Sequence, residues 1–174
     1  MQSFKKSERL RLTRLKELLF EQGHVFFEYP FKVFFLCSRR MNPQVFPTLK
    51  NLSICNQDNV KKVEGLSGLR NTKLNASFEE NPFPAQLLIS IPKKKIKKAA
   101  ERNHLKRLVK ESYRRNKGDF YSFLDKEGLF CLLAFIYVGR QILSYHELES
   151  KIIVILQRLS REVTDSKIAE RAIR

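Results

Sequence analysis

Residues 93–117 read KKKIKKAAERNHLKRLVKESYRRNK. The stretch carries twelve Lys or Arg against two acids, Glu101 and Glu111, a net charge of +10. The whole chain of 174 residues carries +16. From about Lys98 to Asn116 the pattern predicts a helix. With Arg102 set at zero on a helical wheel, Lys106 falls at about 40°, Lys110 at about 80°, Asn103 at about 100°, Arg114 at about 120° and Arg107 at about 140°. Leu105, Leu108, Val109 and Ser112 fall between about 240° and 340°. One arc is therefore polar and almost entirely cationic, and the opposite arc is mostly aliphatic and suited to packing on a sheet.

Three readings compete for this arc. A solvated surface helix normally mixes signs so that residues four apart can pair, and this arc contains no acid. A membrane-surface or calmodulin-target helix needs a broad, bulky apolar face; here that face is narrow, and strands flank the helix. Phosphate binding fits best, because Arg supplies fork-shaped donors and Asn103 can hydrogen-bond a ribose or a base edge. Lys93, Lys94, Lys95, Lys97 and Lys98 precede the helix and add to the same field. With 34 basic against 18 acidic residues, the expected partner is acidic: nucleic acid first, an anionic membrane second.

Working outward, Leu12, Leu15, Leu18, Leu19 and Phe20 fall at helical spacings and predict a helix over 13–22, with Gly23 as a left-handed stop. VFFEYPFKVFFL (25–36) reads as a strand, at an edge or bulged where Pro30 cannot donate. Alternation puts Phe31, Val33 and Phe35 on one face, wholly apolar and read as core. It puts Lys32, Phe34 and Leu36 on the other. Residues 38–84 are rich in Asn and weakly periodic, and are read as a mobile insertion. AQLLISI (85–91) is a strand ended by Pro92. LFCLLAFIYV (129–138) is a central strand apolar on both faces, about half the length of a membrane span. Ser144 to Glu147 has the spacing of a capping box. It opens a helix with Leu148, Ile152, Ile155, Leu156, Leu159 and Val163 along one side. Residues 165–174 are read as a charged, fraying tail, so that one domain occupies 1–164.

Other chemistry is scarce. Cys37, Cys55 and Cys131 are odd in number and far apart, so no disulfide framework is expected, and Cys131 reads as a small buried hydrophobe. His24, His104 and His146 cluster neither with one another nor with Cys, which argues against a protein metal site. No paired carboxylates or nucleophile motif appear. The N-terminus is basic but lacks the apolar core of a signal peptide. The expectation is a reduced, soluble, cytoplasmic protein.

AAERNHLKRLVKESYR resembles the signature helix of the bacterial ribonuclease P protein component, which carries Arg-Asn-Arg, then Lys-Arg, then another base. The matching residues are Arg102, Asn103, Lys106, Arg107 and Lys110. His104 stands at the third signature position, where an imidazole replaces a permanently charged side chain. The resemblance continues in LLFEQG (18–23), YPFKVFF (29–35), ISIPKK (89–94) and AFIYVGRQILSYHELE (134–149). It covers about two-thirds of the chain and leaves out 38–84 and the tail.

The resemblance implies a single α+β domain, a four-stranded sheet with packed helices in the order αβββαβα, with a left-handed βαβ crossover holding the basic helix. It implies a subunit of a ribonucleoprotein endonuclease, a hydrolase in which a large RNA removes the 5′ leader of precursor tRNA. Magnesium would be bound by that RNA, and no cofactor by the protein. The partners would be ribonuclease P RNA and precursor tRNA, with no membrane and no obligate protein partner. Arg102, Asn103, Lys106, Arg107, Lys110 and Arg114 would bind RNA. The leader is single-stranded, so its cleft should combine aromatics with positive charge: Phe34 and Lys32 on the first strand, joined by Phe20 and by Lys16 one turn before it. For Phe20 and Phe34 the alternative is ordinary core packing. For the whole chain it is another structured-RNA binder of ribosomal type, or a membrane-surface adaptor.

Overall fold

A computed structural model describes residues 3–39 and 83–172, with side chains for 3–38 and 83–164. After a single turn of 3-10 helix (Lys6–Glu8) come α1 (Thr13–Gln22), β1 (His24–Glu28), β2 (Phe31–Arg39), β3 (Ala85–Ser90), α2 (Ala99–Lys126), β4 (Leu129–Tyr137) and α3 (Tyr145–Ala172). The strands form one sheet in the order β1-β2-β4-β3. β1–β2 and β2–β4 are antiparallel; β3 and β4 are parallel and joined through α2. This is the expected αβββαβα order.

The molecule has three layers. On one face of the sheet Phe31, Val33 and Phe35 meet Leu133, Phe135 and Tyr137 under α2 and α3. As the helical spacing requires, α3 buries Leu148, Ile152, Ile155, Leu156, Leu159 and Val163. On the other face α1 sets Leu15 and Leu19 on Phe130, Leu132 and Ala134. Each such side chain contributes about 1.5–3 kcal/mol by leaving water. β4 lies between β2 and β3 and is buried on both faces, with Ile136 partly open, which explains its unbroken apolar run. The capping box forms: the Ser144 N–H donates to Glu147 Oε2 at 2.8 Å.

Several expectations are corrected. The run 25–36 is not one strand but a hairpin turning at Tyr29–Pro30, a cis peptide, with Glu28 opposite Phe31 and His24 opposite Phe35. Gly23 is extended rather than left-handed. Its need is steric, because a Cβ there would strike the Leu19 carbonyl oxygen. The left-handed stop is Gly128, at φ 61°, after α2. α2 runs ten residues beyond Asn116, to Lys126: Phe120 and Leu124 continue its buried stripe, and their packing outweighs the roughly 1 kcal/mol cost of a mid-helix glycine, Gly118. α3 continues to Ala172 where a fraying tail was expected. Cys37 and Cys131 are register partners on β2 and β4, with Cα atoms 4.2 Å apart, and form a disulfide. Spacing along the chain does not reveal such a cross-strand pair. Of the stretch read as a mobile insertion, residues 40–82 lie outside the described residues. Among the described residues no helix is long and apolar enough to cross a membrane.

Candidate nucleic-acid interface

α2 is amphipathic because its aliphatic arc must cover the sheet: Leu105, Val109, Ser112 and Tyr113 are buried. That docking turns the cationic arc outward, and tertiary partners then sort its members. Lys106, Arg107 and Lys110 have no ion pair or hydrogen bond to other described residues, and Asn103 and His104 are exposed. Lys110 is held below the ordinary lysine value, first by partial burial and then by the charges of Arg9, Arg107 and Lys106. These three cations form the uncompensated patch of the helix.

The other predicted helix residues are committed to the fold. Arg102 Nη1 donates to the carbonyls of Ile96 at 3.1 Å and Lys97 at 2.6 Å. It clasps the basic loop to the helix rather than standing free. Arg114 is bidentate to Glu111, at 2.6 and 2.8 Å; its hydrogen bonds are the main cause holding the Glu111 carboxyl below its usual range. Arg114 therefore brings little net charge to the surface. Of the loop cations, Lys93, Lys94 and Lys97 are exposed, Lys95 is half-buried, and Lys98 pairs with Glu101 at 3.3 Å.

The second surface is the part of the sheet that α1 leaves uncovered. Phe34 and Lys32 lie there, as alternation predicts, while Val33 and Phe35 are buried on the far side. Phe20 meets Phe34 edge-on at 5.0 Å between centroids, and Lys32 Nζ sits 4.9 Å from the Phe34 ring. Phe34 also packs against the smaller core under α1 and is half-buried there. Phe20 stays 42% exposed, against the reading of it as ordinary core. Lys16 is half-buried one turn earlier and lines a cavity together with Lys106 and Lys110.

The hairpin adds two residues that the sequence reading misses. Val25 stands opposite Phe34 and Phe27 opposite Lys32, and register partners share a face. They are 51% and 56% exposed, open apolar surface of the kind that marks a binding site. Splitting the run 25–36 at Pro30 and applying alternation to each half would find them. Among the described residues no group of three or more His, Cys, Asp or Glu is placed to hold a metal ion. The two surfaces thus present unpaired cations on a helix and exposed aromatic rings beside a lysine.

A family model described as ribonuclease P matches residues 4–170. The ribonuclease P protein components of two strains of Porphyromonas gingivalis are each 30% identical over 84 residues, which is 48% of this chain and 61% of theirs. The match thus spans about three-fifths of the length of these curated relatives. Among solved structures, the RNase P protein of Staphylococcus aureus aligns at a TM-score of 0.52 and 15% identity, covering 88% of this chain and 96% of that one. The RNase P protein of Thermotoga maritima aligns at 0.50 and 22%, covering 87% and 96%. At these identities the likeness speaks for the fold.

Proposed function

The chain belongs to the ribonuclease P protein family, and from that membership we infer that it is the protein subunit of a ribonuclease P, an RNA-dependent endonuclease that removes the 5′ leader from precursor tRNA. Its partners are then ribonuclease P RNA and precursor tRNA, in the cytoplasm. Lys106, Arg107 and Lys110, with the exposed lysines before α2, neutralise phosphates of the structured RNA; Asn103 adds a donor toward ribose. Phe20, Phe34, Val25 and Phe27, with Lys32, hold the single-stranded leader by stacking and charge. Hydrolysis belongs to the RNA, whose magnesium ions activate the water. The protein binds, orients and screens charge.

One observation carries this reading: exposed aromatics grouped around Lys32 on the open sheet face, in the same domain as an unpaired cationic trio on α2. A binder of duplex RNA alone needs the cations and has no use for the aromatics. The test is reconstitution with a ribonuclease P RNA at low magnesium. Addition of the protein should restore leader removal and favour precursor over mature tRNA. Binding to the RNA without either gain would leave a general structured-RNA binder.

A further inference from the structure

Cys37 on β2 and Cys131 on β4 face each other on the side of the sheet covered by α2 and α3. Their Cα atoms are 4.2 Å apart. Strand register imposes that approach, since facing residues of an antiparallel pair stand about 4.5 Å apart at their closer sites. The two sulfurs therefore meet whether or not they are bonded. The surroundings accept both forms. Cys131 sits in the main core beside Ala85, its register partner on β3, where a free thiol packs as a small hydrophobe.

The two sulfurs are not equally accessible. Cys131 is fully buried, and its N–H donates to the Pro84 carbonyl at 2.9 Å. Cys37 is only partly buried and lies two residues before the end of β2. Strand ends open locally at less cost than the middle of a core, so a reagent from solvent meets Cys37 first. The chain's net charge of +16 draws anionic reagents toward it. In a cytoplasm that keeps thiols reduced, a disulfide is seldom a permanent staple and usually serves redox sensing or catalysis. The inference rests on the cytoplasmic placement given above and is independent of the RNA-binding role: Lys32 and Phe34 lie on the opposite face of β2 from Cys37.

We propose that Cys37 and Cys131 form a thiol–disulfide exchange site for an anionic low-molecular-weight disulfide of the glutathione type, with Cys37 as the entry sulfur and Cys131 as the resolving sulfur. The Cys37 thiolate attacks one sulfur of glutathione disulfide, forms a mixed disulfide and releases one glutathione. The Cys131 thiolate then attacks Cys37 Sγ, forms the cross-strand bond and releases the second glutathione. The pair gives up two electrons and two protons, and the glutathione disulfide leaves as two thiols. Reduction runs the same steps backward, with glutathione thiolate attacking Cys37 Sγ and expelling Cys131. The bond joins positions 94 residues apart and encloses the segment between β2 and β3. Closing so long a loop restricts the unfolded chain, so the site converts the state of the thiol pool into stability of the fold.

The test uses the full chain carrying Cys55→Ser, so that only the pair reports. The protein is equilibrated with mixtures of reduced and oxidised glutathione, quenched with iodoacetamide and read by mass spectrometry. The folded chain should pass reversibly between dithiol and disulfide, and its rate of reduction should stay flat in sub-denaturing urea. A rate that climbs with urea as global unfolding does would overturn the exchange site and leave a structural bond. A pair that stays dithiol at every ratio would overturn it as well. Cys131→Ala should hold glutathione on Cys37 as a lasting mixed disulfide, whereas Cys37→Ala should let Cys131 react about tenfold more slowly, because a buried thiol is inert. The reverse pattern would overturn the assigned roles. The disulfide form should melt roughly 10 °C above the dithiol form, and equal midpoints would overturn the stability consequence. If either Ala variant melts early, the urea series on the chain with both cysteines decides.

Discussion

Glu8 and Lys117 meet across 109 residues of sequence as an ion pair closed to solvent. The Tyr121 hydroxyl donates to the same carboxylate at 2.8 Å, and the Lys117 ammonium also donates to the Ser3 carbonyl at 2.8 Å. Burial is the first cause pushing the Tyr113 and Tyr121 hydroxyls well above the ordinary tyrosine value, so both stay protonated as donors. This pair pins the N-terminal arm to α2 and thereby sets Arg9 beside Lys110.

Breaking one side of the pair should be costly. Glu8→Gln leaves a buried ammonium without its counter-charge, a loss of about 3–5 kcal/mol. Glu8→Leu combined with Lys117→Met should cost far less, because no charge is left stranded. Urea unfolding curves of the three proteins check this; equal midpoints for Glu8→Gln and the unaltered chain would contradict it.

The cations of α2 should not be equivalent. Arg107→Ala should reduce the log–log salt slope of RNA binding by roughly 0.7 to 0.9. Arg114→Ala should reduce it less, since Arg114 is already paired with Glu111. Arg102→Ala should show mainly as a lower melting temperature, because it frees the carbonyls of residues 96 and 97. Equal slopes for Arg107→Ala and Arg114→Ala would remove ion pairing as the sorting principle.

Neighbouring residues on β2 should fail in different ways. Val33 is fully buried, and Val33→Ala should cost roughly 1–3 kcal/mol of folding stability. Phe34→Ala should instead cost roughly 1–3 kcal/mol in holoenzyme affinity for leader-bearing precursor tRNA, and leave affinity for mature tRNA nearly unchanged. Binding of both tRNA forms, with a melting curve for each variant, separates the two. Equal loss for both forms would return Phe34 to the core.

The segment between β2 and β3 should be replaceable. Arg39 pairs with Leu129 and Ala85 with Cys131, so the segment leaves and rejoins the sheet at the same end of β4. Doubling the length of such a loop costs only about 0.6 kcal/mol. Replacing residues 42–80 with a short Gly/Ser linker should therefore preserve a cooperative thermal transition. A calorimetric scan without one would show that the segment carries part of the core.

What can be read along the chain is whatever local periodicity encodes. The stripe from Leu148 to Val163, the Ser144–Glu147 cap and the apolar run of β4 each follow from short-range rules. The hairpin at Tyr29–Pro30 does not, because its two arms are similarly apolar and its turn lacks the Asn-Gly type of signal. α2 reads short along the chain because Gly118 resembles a stop, whereas Phe120 and Leu124 are held by distant partners. Which cations are free is equally hidden. Lys117 is cancelled by a carboxylate 109 residues away, and the donors of Arg102 are taken up by carbonyls that a loop turns back toward it. Charge counts fix how much positive potential a segment carries; only tertiary structure decides where it is used.

β3 ends the sheet, and the N-terminal arm covers that edge through Arg9 and Leu10 on Leu87. An uncovered strand edge is a template on which a second molecule can add a strand. The charged arm thus has a consequence for solubility. A chain trimmed of residues 3–12 would present an apolar, hydrogen-bonding border with its cationic guard removed, and would be prone to self-association at concentrations where the full chain stays dispersed.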